Sequence, residues 1–252
     1  MKVVVIGGTG LIGSKVVAKL NAHGHEAVPA SPDSGVNTLT GEGLADALVG
    51  ADVVVDVSNS PSFADDDVLH FFRTSTGNLL AAETVAGVGH HVALSVVGSE
   101  KVPDSGYLRA KVAQEQLIKE SGVPFSLVHA TQFFEFVGAI ADAGTVDGSV
   151  HIAPVSFQPV AAEDVATLVA RTAAGSPLHG VVETGGPERV RFDEFIRNVL
   201  AERGDQRAVV TDPDARYFGA VLRGAELVPG PGATIAETTF AAWTSHQAAA
   251  VR

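Results

Sequence analysis

The chain has 252 residues, 46% of them hydrophobic and 18% charged, a globular composition at a length that suits one α/β domain with a small C-terminal elaboration. Seventeen basic against 29 acidic residues give a net charge of −12 with no Lys or Arg cluster, so a phosphate backbone is repelled and nucleic acid is not an expected partner. The lack of cysteine removes disulfides, thiolate nucleophiles and Cys-based metal sites, and no apolar run approaches the roughly eighteen residues of a membrane span, so a soluble, cytoplasmic protein without a membrane partner is expected.

In chain order, the short β-branched run Lys2-Val-Val-Val-Ile6 reads as a parallel strand buried on both faces. It leads directly into GGTGLIG, residues 7–13, which opens the helical pattern Leu11, Ile12, Val16, Val17, Leu20. Gly7 lets the chain leave the strand sharply, Gly10 lets a pyrophosphate approach the main chain, and Gly13 lets the helix pack against the strand. The segment Thr9, Gly10, Leu11 and Ile12 then offers bare N–H groups to an anion, with the helix dipole behind them. Strand, glycine turn and helix together are the setting that a dinucleotide requires; the alternative is an ordinary glycine turn.

A second strand, His25–Ala30, ends at Ser31-Pro-Asp-Ser34. An acid at such a tip binds the ribose diol of NAD, whereas small polar groups accommodate the 2′-phosphate of NADP. Asp33 lies beyond the proline, so Ser31 and Ser34 favour NADP (NADPH), with NAD possible; a plain turn is the other reading. Residues 35–50 are expected to hold a short connecting strand and a small helix. The strand Asp52–Val57 follows, with Ser58 at its C-terminal, cofactor-facing edge. A long helix over 64–88 opens with Asp65-Asp-Asp67, whose charges suit its dipole and point in different directions, as a solvated helix entry does.

The strand His91–Val97 delivers Ser95 to its C-terminal end, followed by Gly98 and Ser99. A helix runs from Tyr107 to about Gly122, and a spacing of four puts Tyr107 and Lys111 on one face. The strand Val123–Ala130 leads into Thr131–Phe136, with His129 read as a buried histidine. Then come a strand around Val150, a helix over Ala161–Ala174, a strand at Val181–Thr184 and a helix over Phe192–Arg203. Residues 205–235, rich in Gly, Pro and Asp, read as a long irregular segment, the candidate for substrate contact through Tyr217. Nine histidines show no ligand spacing, and no metal site is expected.

Taken together, GGTGLIG, the strand ending VDVSNSP, ALSVVG, YLRAK, HATQFF and GGPE near residue 185 make roughly residues 1–200 resemble the short-chain dehydrogenase/reductase superfamily, in its atypical NmrA-like branch. The resemblance implies a Rossmann-like, doubly wound parallel sheet with a small C-terminal substrate-binding region. It implies one domain over 1–252, of which 1–150 is mainly the dinucleotide-binding core and 151–252 a mixed substrate and lid region. Carried over residue by residue, Ser95 orients the reacting oxygen, Tyr107 is the general acid or base and Lys111 holds the nicotinamide ribose. Ala130 and Phe133 border the nicotinamide, and Ser99, Gln132, Phe133 and Tyr217 are substrate candidates. Phe71-Phe72 stands where extended members carry an Asn ahead of the segment matched by Asn78-Leu-Leu80, and His129 stands where relatives often have Arg.

The implied activity is NADPH- or NADH-dependent reduction of a small, fairly apolar carbonyl or quinone, by a monomer or homodimer. The alternatives are a non-catalytic redox sensor of the NmrA type and an epimerase or dehydratase that retains NAD. For Tyr107 to act as a base near neutrality its phenol has to titrate about three units, or ~4 kcal/mol, below its usual value. One ammonium at ~4 Å supplies roughly that, so Lys111 is expected to lower it.

Overall fold

A computed structural model describes residues 1–250 of the chain. In order, its strands are β1 (Lys2–Ile6), β2 (Glu26–Ala30), β3 (Val53–Asp56), β4 (His90–Val96), β5 (Phe125–Ala130), β6 (Thr145–Val146), β7 (Ser149–Ile152), β8 (Ser156–Phe157), β9 (Gly180–Gly185), β10 (Val190–Arg191), β11 (Val209–Thr211), β12 (Arg216–Tyr217), β13 (Ala220–Val221) and β14 (Thr234–Ile235). The helices are α1 (Leu11–Ala22), α2 (Leu44–Ala47), α3 (Asp65–Ala86), α4 (Gly106–Glu120), α5 (Val137–Ala143), α6 (Ala162–Ala174), α7 (Phe192–Glu202) and α8 (Phe240–Ala250). A seven-stranded sheet has the order β14-β9-β5-β4-β3-β1-β2, with parallel pairing, so the doubly wound α/β architecture is present.

The chain divides into two compact units. The first comprises Met1–Val96, Gly106–His129 and Glu163–Val182. Here Val3, Val4 and Val5 are fully buried, which is why β1 is apolar from Val3 to Ile6 rather than alternating. One face of the sheet packs Val4, Ile6 and Val54 with Leu44 and Leu48 from around α2 and Leu79 from α3. A second cluster joins Leu80, Ala93, Ile118 and Leu127, placing α3 and α4 against β4 and β5. Parallel register sets Ile6 level with Asp56 and Asp56 level with Ala93, so β1 and β3 end abreast while β4 runs on to Val96.

The strand expected within 35–50 is not formed. Gly35, Gly41 and Gly43 there adopt φ values of +82°, +80° and +72°, and three left-handed residues in nine turn the backbone too often for it to extend. Only the four-residue α2 follows. Asn78 on α3 holds this loop by donating to the carbonyls of Thr38 and Leu39 at 2.9 and 3.1 Å.

The second unit comprises Val97–Ser105, Ala130–Ala162 and the described residues from Glu183 onward. Its core is aromatic: Phe157 stacks on Phe192 at 4.2 Å, and Phe195 lies 5.5 Å from Phe157. From α8, Phe240 packs edge-on against Phe134 and Phe195, and the Trp243 indole donates to Glu135 at 3.1 Å. Segment 205–235 is not irregular throughout, as the composition implied: β11 pairs with β7, β12 with β13, and β14 with β9. These strands have two or three residues each, too short for their alternation to show in a sequence.

Candidate active site

The turn between β1 and α1 shows what its glycines are for. A Cβ on Gly13 would lie 2.1 Å from the Gly7 carbonyl oxygen, so only glycine lets the first turn of α1 rest on the loop. Gly7 has φ +76°, and a Cβ there would meet the Ser58 backbone at 3.0 Å. Gly8, which no dinucleotide-turn role singles out, is as constrained: its Cβ would lie 2.6 Å from Pro29 Cα. The doubled glycine was the only signal, because Pro29 is twenty-one positions further on.

Gly10 differs. It is exposed, and the nearest atom to a Cβ there is the Gly7 oxygen at 3.3 Å. Its N–H donates to that oxygen, and the helical ladder begins when Ser14 donates to Gly10. The amides of Leu11, Ile12 and Gly13 therefore precede the ladder, with no helical acceptor of their own. No side chain caps this end and no acidic residue stands in the first turn. An open glycine in front of bare amides at the positive end of a helix is the cradle that a diphosphate fits. Thr9 and Leu11 are exposed beside it.

At the tip of β2, Ser34 Oγ accepts from the Ser31 amide and donates to the Ser31 carbonyl, both at 2.9 Å. Its one proton is spent inside the turn. Ser31 Oγ is buried and has no partner among the described residues, so of the two serines only Ser31 keeps a donor for a 2′-phosphate.

The segment after β3 organises the rest of this unit. Asp56 is 2% exposed; its Oδ1 accepts from the Ser58 amide at 3.0 Å and hydroxyl at 2.6 Å, and its Oδ2 accepts from the Gln114 amide at 3.0 Å. The other end of that carboxamide, Gln114 Oε1, accepts from Lys111 Nζ. Lys111 also donates to the Leu94 carbonyl at 2.9 Å, and its ammonium lies 4.3 Å from the centre of the Phe72 ring. Burial lowers the lysine to about 8 against the opposing pull of Asp56 and Glu115. Phe72, found in sequence only as a departure from an expected Asn, is thus the π face beneath this cation.

Tyr107, half-buried, packs between Phe63 at 5.5 Å and Phe72 at 6.3 Å, and the Asn59 side chain hydrogen-bonds it. Burial pushes its phenol up to about 12, opposed by Asn59. The lowering expected from Lys111 is corrected here, since the lysine's donors are directed to Leu94 and Gln114 and burial governs the phenol. In this state Tyr107 is a protonated donor.

Ser95 on β4 is buried and donates to Glu115 Oε1 at 2.7 Å. His129 Nε2 lies 2.9 Å from the same oxygen, and Lys119 Nζ lies 3.2 Å from Oε2. Burial pushes Glu115 up, yet His129, Ser95 and Lys119 outweigh it and hold the carboxyl at about 2. A serine hydroxyl has one proton, and this one is given to Glu115, so Ser95 as placed supports that carboxylate. Neither Glu115 nor Gln114 was read from the sequence, although both follow Lys111 on one helix.

The remaining expected residues lie in the second unit. Ala130 and Ser99 are buried, Phe133 is half-buried and stacks on the exposed Phe136 at 5.4 Å, and Tyr217 sits beside Phe192 at 6.1 Å. Gln132 is buried, and neither its carboxamide oxygen nor its nitrogen has a partner among the described residues. A dry, unpaired amide is costly, so this group has capacity left for a ligand or a water. Phe218 and Gly219, with φ +46° and +85°, form the two-residue turn between Tyr217 and Ala220.

Among the described residues no group of His, Cys, Asp or Glu could hold a metal, and no helix is long and apolar enough to cross a membrane. Two of the three acids at the start of α3 are engaged, Asp65 with Arg109 of α4 at 2.7 Å and Asp67 with the Ser62 hydroxyl at 2.8 Å.

No family model matches the chain. Over 149 residues it is 25% identical to the photosystem II assembly factor Ycf39 of Cyanophora paradoxa, a match covering 54% of this chain and 46% of that protein, so it spans about half the length of that relative. Among solved structures it is similar to a dTDP-glucose 4,6-dehydratase from Streptomyces venezuelae with NAD bound, at 17% identity and TM-score 0.70 over 98% of this chain and 96% of that one. It is also similar to a dTDP-4-dehydrorhamnose reductase from Bacillus anthracis in complex with NADP, at 14% identity and TM-score 0.67 over 88% of each chain. An NADPH-dependent quinone oxidoreductase from Escherichia coli, complexed with NADPH, gives 19% identity and TM-score 0.66 over 83% of this chain and 78% of that one. At these identities the likeness is one of fold, a Rossmann-like sheet with its helices.

Proposed function

We propose that the protein is an NAD(P)H-dependent oxidoreductase of the short-chain dehydrogenase/reductase type, in the NmrA-like branch, that reduces a small, fairly apolar carbonyl or quinone. The observation that carries this is the segment Asp56–Asn59. Its Ser58 backbone lies 3.0 Å from where a Cβ on Gly7 would stand, its Asp56 reaches Lys111 through Gln114, and its Asn59 bonds Tyr107, so one stretch of chain underlies both the diphosphate cradle and the Tyr107 and Lys111 pair. The dinucleotides in the similar solved structures add support.

In this reading the amides of Leu11 and Ile12 hold the diphosphate, with Thr9 beside them, and Ser31 favours the 2′-phosphate of NADPH. A bound nicotinamide supplies the reducing equivalent. Lys111 holds the ribose. Tyr107, protonated at neutral pH, gives its proton to the oxygen of the carbonyl being reduced. Ser95 acts through Glu115 as a positioning residue.

The experiment is a titration with NADPH and NADH followed by a consumption screen over quinones, aldehydes and ketones. Tyr107→Phe keeps the ring between Phe63 and Phe72 but removes the donated proton. Turnover is expected to fall by ~10²-fold or more with dinucleotide affinity unchanged. Unaltered turnover in that variant refutes the assignment.

One observation favours a second reading, because the matched relative is an assembly factor by name. A dinucleotide-binding protein without turnover would bind NADPH, consume none of it with any acceptor, and respond to Tyr107→Phe in neither measurement.

A further inference from the structure

The one buried lysine of the first unit's polar interior is held by groups that no sequence motif marks. We propose that Gln114 and Asp56 are positioning residues for Lys111, the carboxamide fixing the ammonium in place and passing to it the charge of a carboxylate that is sealed from solvent. This rests on the reading of Lys111 as the group that holds the nicotinamide ribose, and it adds what determines whether that group is charged.

The geometry leaves Gln114 a single orientation. Its oxygen accepts from the ammonium and its nitrogen donates to Asp56 Oδ2, so the amide dipole lies between a cation and an anion in the sense that stabilises both. Asp56 is held in turn, because its other oxygen takes both donors of Ser58. All three side chains are 2% exposed or less, so solvent screens little of this interaction.

Each element around Lys111 contributes a group: Asp56 from the tip of β3, the Leu94 carbonyl from β4, the Phe72 ring from α3, and Gln114 and Glu115 from its own helix, the last engaged by His129 and Lys119. The charge of Asp56 also reaches His91, itself bonded to Glu83 at 2.8 Å. Of the anions that act on Lys111, Glu115 already has three partners of its own. Asp56 is the one joined to the lysine through a single amide.

A lysine at about 8 is roughly nine-tenths charged at pH 7, and one unit lower leaves about half of it charged. Removing the Asp56 charge disfavours the ammonium, so the titration moves down. In Asp56→Asn the new amide also turns a donor towards Gln114; if Gln114 reverses, its own N–H groups face the ammonium, which displaces the titration in the same direction.

The test follows the ε-carbons of the six lysines by NMR in protein labelled with [ε-¹³C]lysine, with the Lys111 signal identified by its loss in Lys111→Arg. Asp56→Asn and Gln114→Leu are each expected to move the Lys111 midpoint down by about one unit or more. A midpoint unmoved in both variants overturns the proposal, including the case in which both merely lower the melting temperature. The measurement is made on the free protein. If no acceptor is ever reduced while the Lys111 midpoint still moves, the reductase reading fails and the role of Gln114 and Asp56 stands.

Discussion

Two glycines three positions apart should respond to the same methyl group in opposite ways. In Gly13→Ala the new Cβ starts 2.1 Å from the Gly7 oxygen, and reaching the 3.4 Å of ordinary contact takes about 1.3 Å of backbone movement. Nothing flexible is available to give way, since the atoms met are main chain of Gly7 and Gly8. Overpacking of this kind costs ~1–3 kcal/mol, and here it also shifts the amides that begin α1. In Gly10→Ala the backbone, at φ −78° and ψ −177°, is one that alanine adopts freely, and the nearest atom is 3.3 Å away. Stability should stay within ~1 kcal/mol of wild type, because the freedom lost by the unfolded chain opposes a contact only slightly tighter than ordinary. The methyl nevertheless takes up part of the open space that Gly10 leaves at the proposed cradle. Losing one charge-assisted hydrogen bond of ~1.5–3 kcal/mol weakens binding by roughly 10- to 100-fold. Urea unfolding and NADPH fluorescence titration on both variants separate the effects. Wild-type NADPH affinity in Gly10→Ala would show that the loop is a structural turn and nothing more.

Three further outcomes follow from the polar interior and the β2 tip. Ser95→Ala should lose ~1.5–3 kcal/mol of stability, the worth of a hydrogen bond to a charged group, with turnover within a few-fold of wild type; a hundredfold loss of turnover at unchanged stability would mean that its proton serves the reacting oxygen instead. Glu115 is held at about 2 against an ordinary 4.5, so the stability it contributes, about 3 kcal/mol, is present above pH 4.5 and lost as pH falls towards 2. Glu115→Gln should accordingly flatten the acid limb of a plot of unfolding free energy against pH, and an unchanged limb would refute the pairing. Ser31→Ala should weaken NADPH binding more than NADH binding in parallel titrations, and an unchanged ratio removes the serine from cofactor choice.

What the sequence made legible was local. The strand Lys2–Ile6 and the long helices over 65–86 and 106–120 declare themselves through runs and periods that one element carries alone. The glycine turn was legible for the same reason, except at Gly8, whose neighbour Pro29 arrives from another strand. The short strands between 205 and 235 were not, since two-residue elements form only against partners far away in the chain. The site divides along the same line. Tyr107 and Lys111 share a helix face and could be paired on spacing. Asp56 and Gln114 meet across 58 positions, and the only trace is an acid in the otherwise apolar run Val53–Val57. Such an acid needs a buried partner, but nothing in the sequence says which.

The two groups that spacing did pair then turn out to have exchanged roles in titration. A phenol at about 12 and an ammonium at about 8 mean that, of the two, the lysine changes charge nearest to neutrality. The cause is the same for both: burial disfavours whichever form is charged, and for tyrosine that is the deprotonated form, for lysine the protonated one. A site in this condition has a proton to give and lacks a ready base, which suits the reduction of a carbonyl better than the oxidation of an alcohol. Its alkaline limit would be set by discharge of Lys111, well before Tyr107 loses its proton. Asp56 and Glu115 both pull the lysine upward against burial, so in the proposed site their charges would hold that limit above neutral pH.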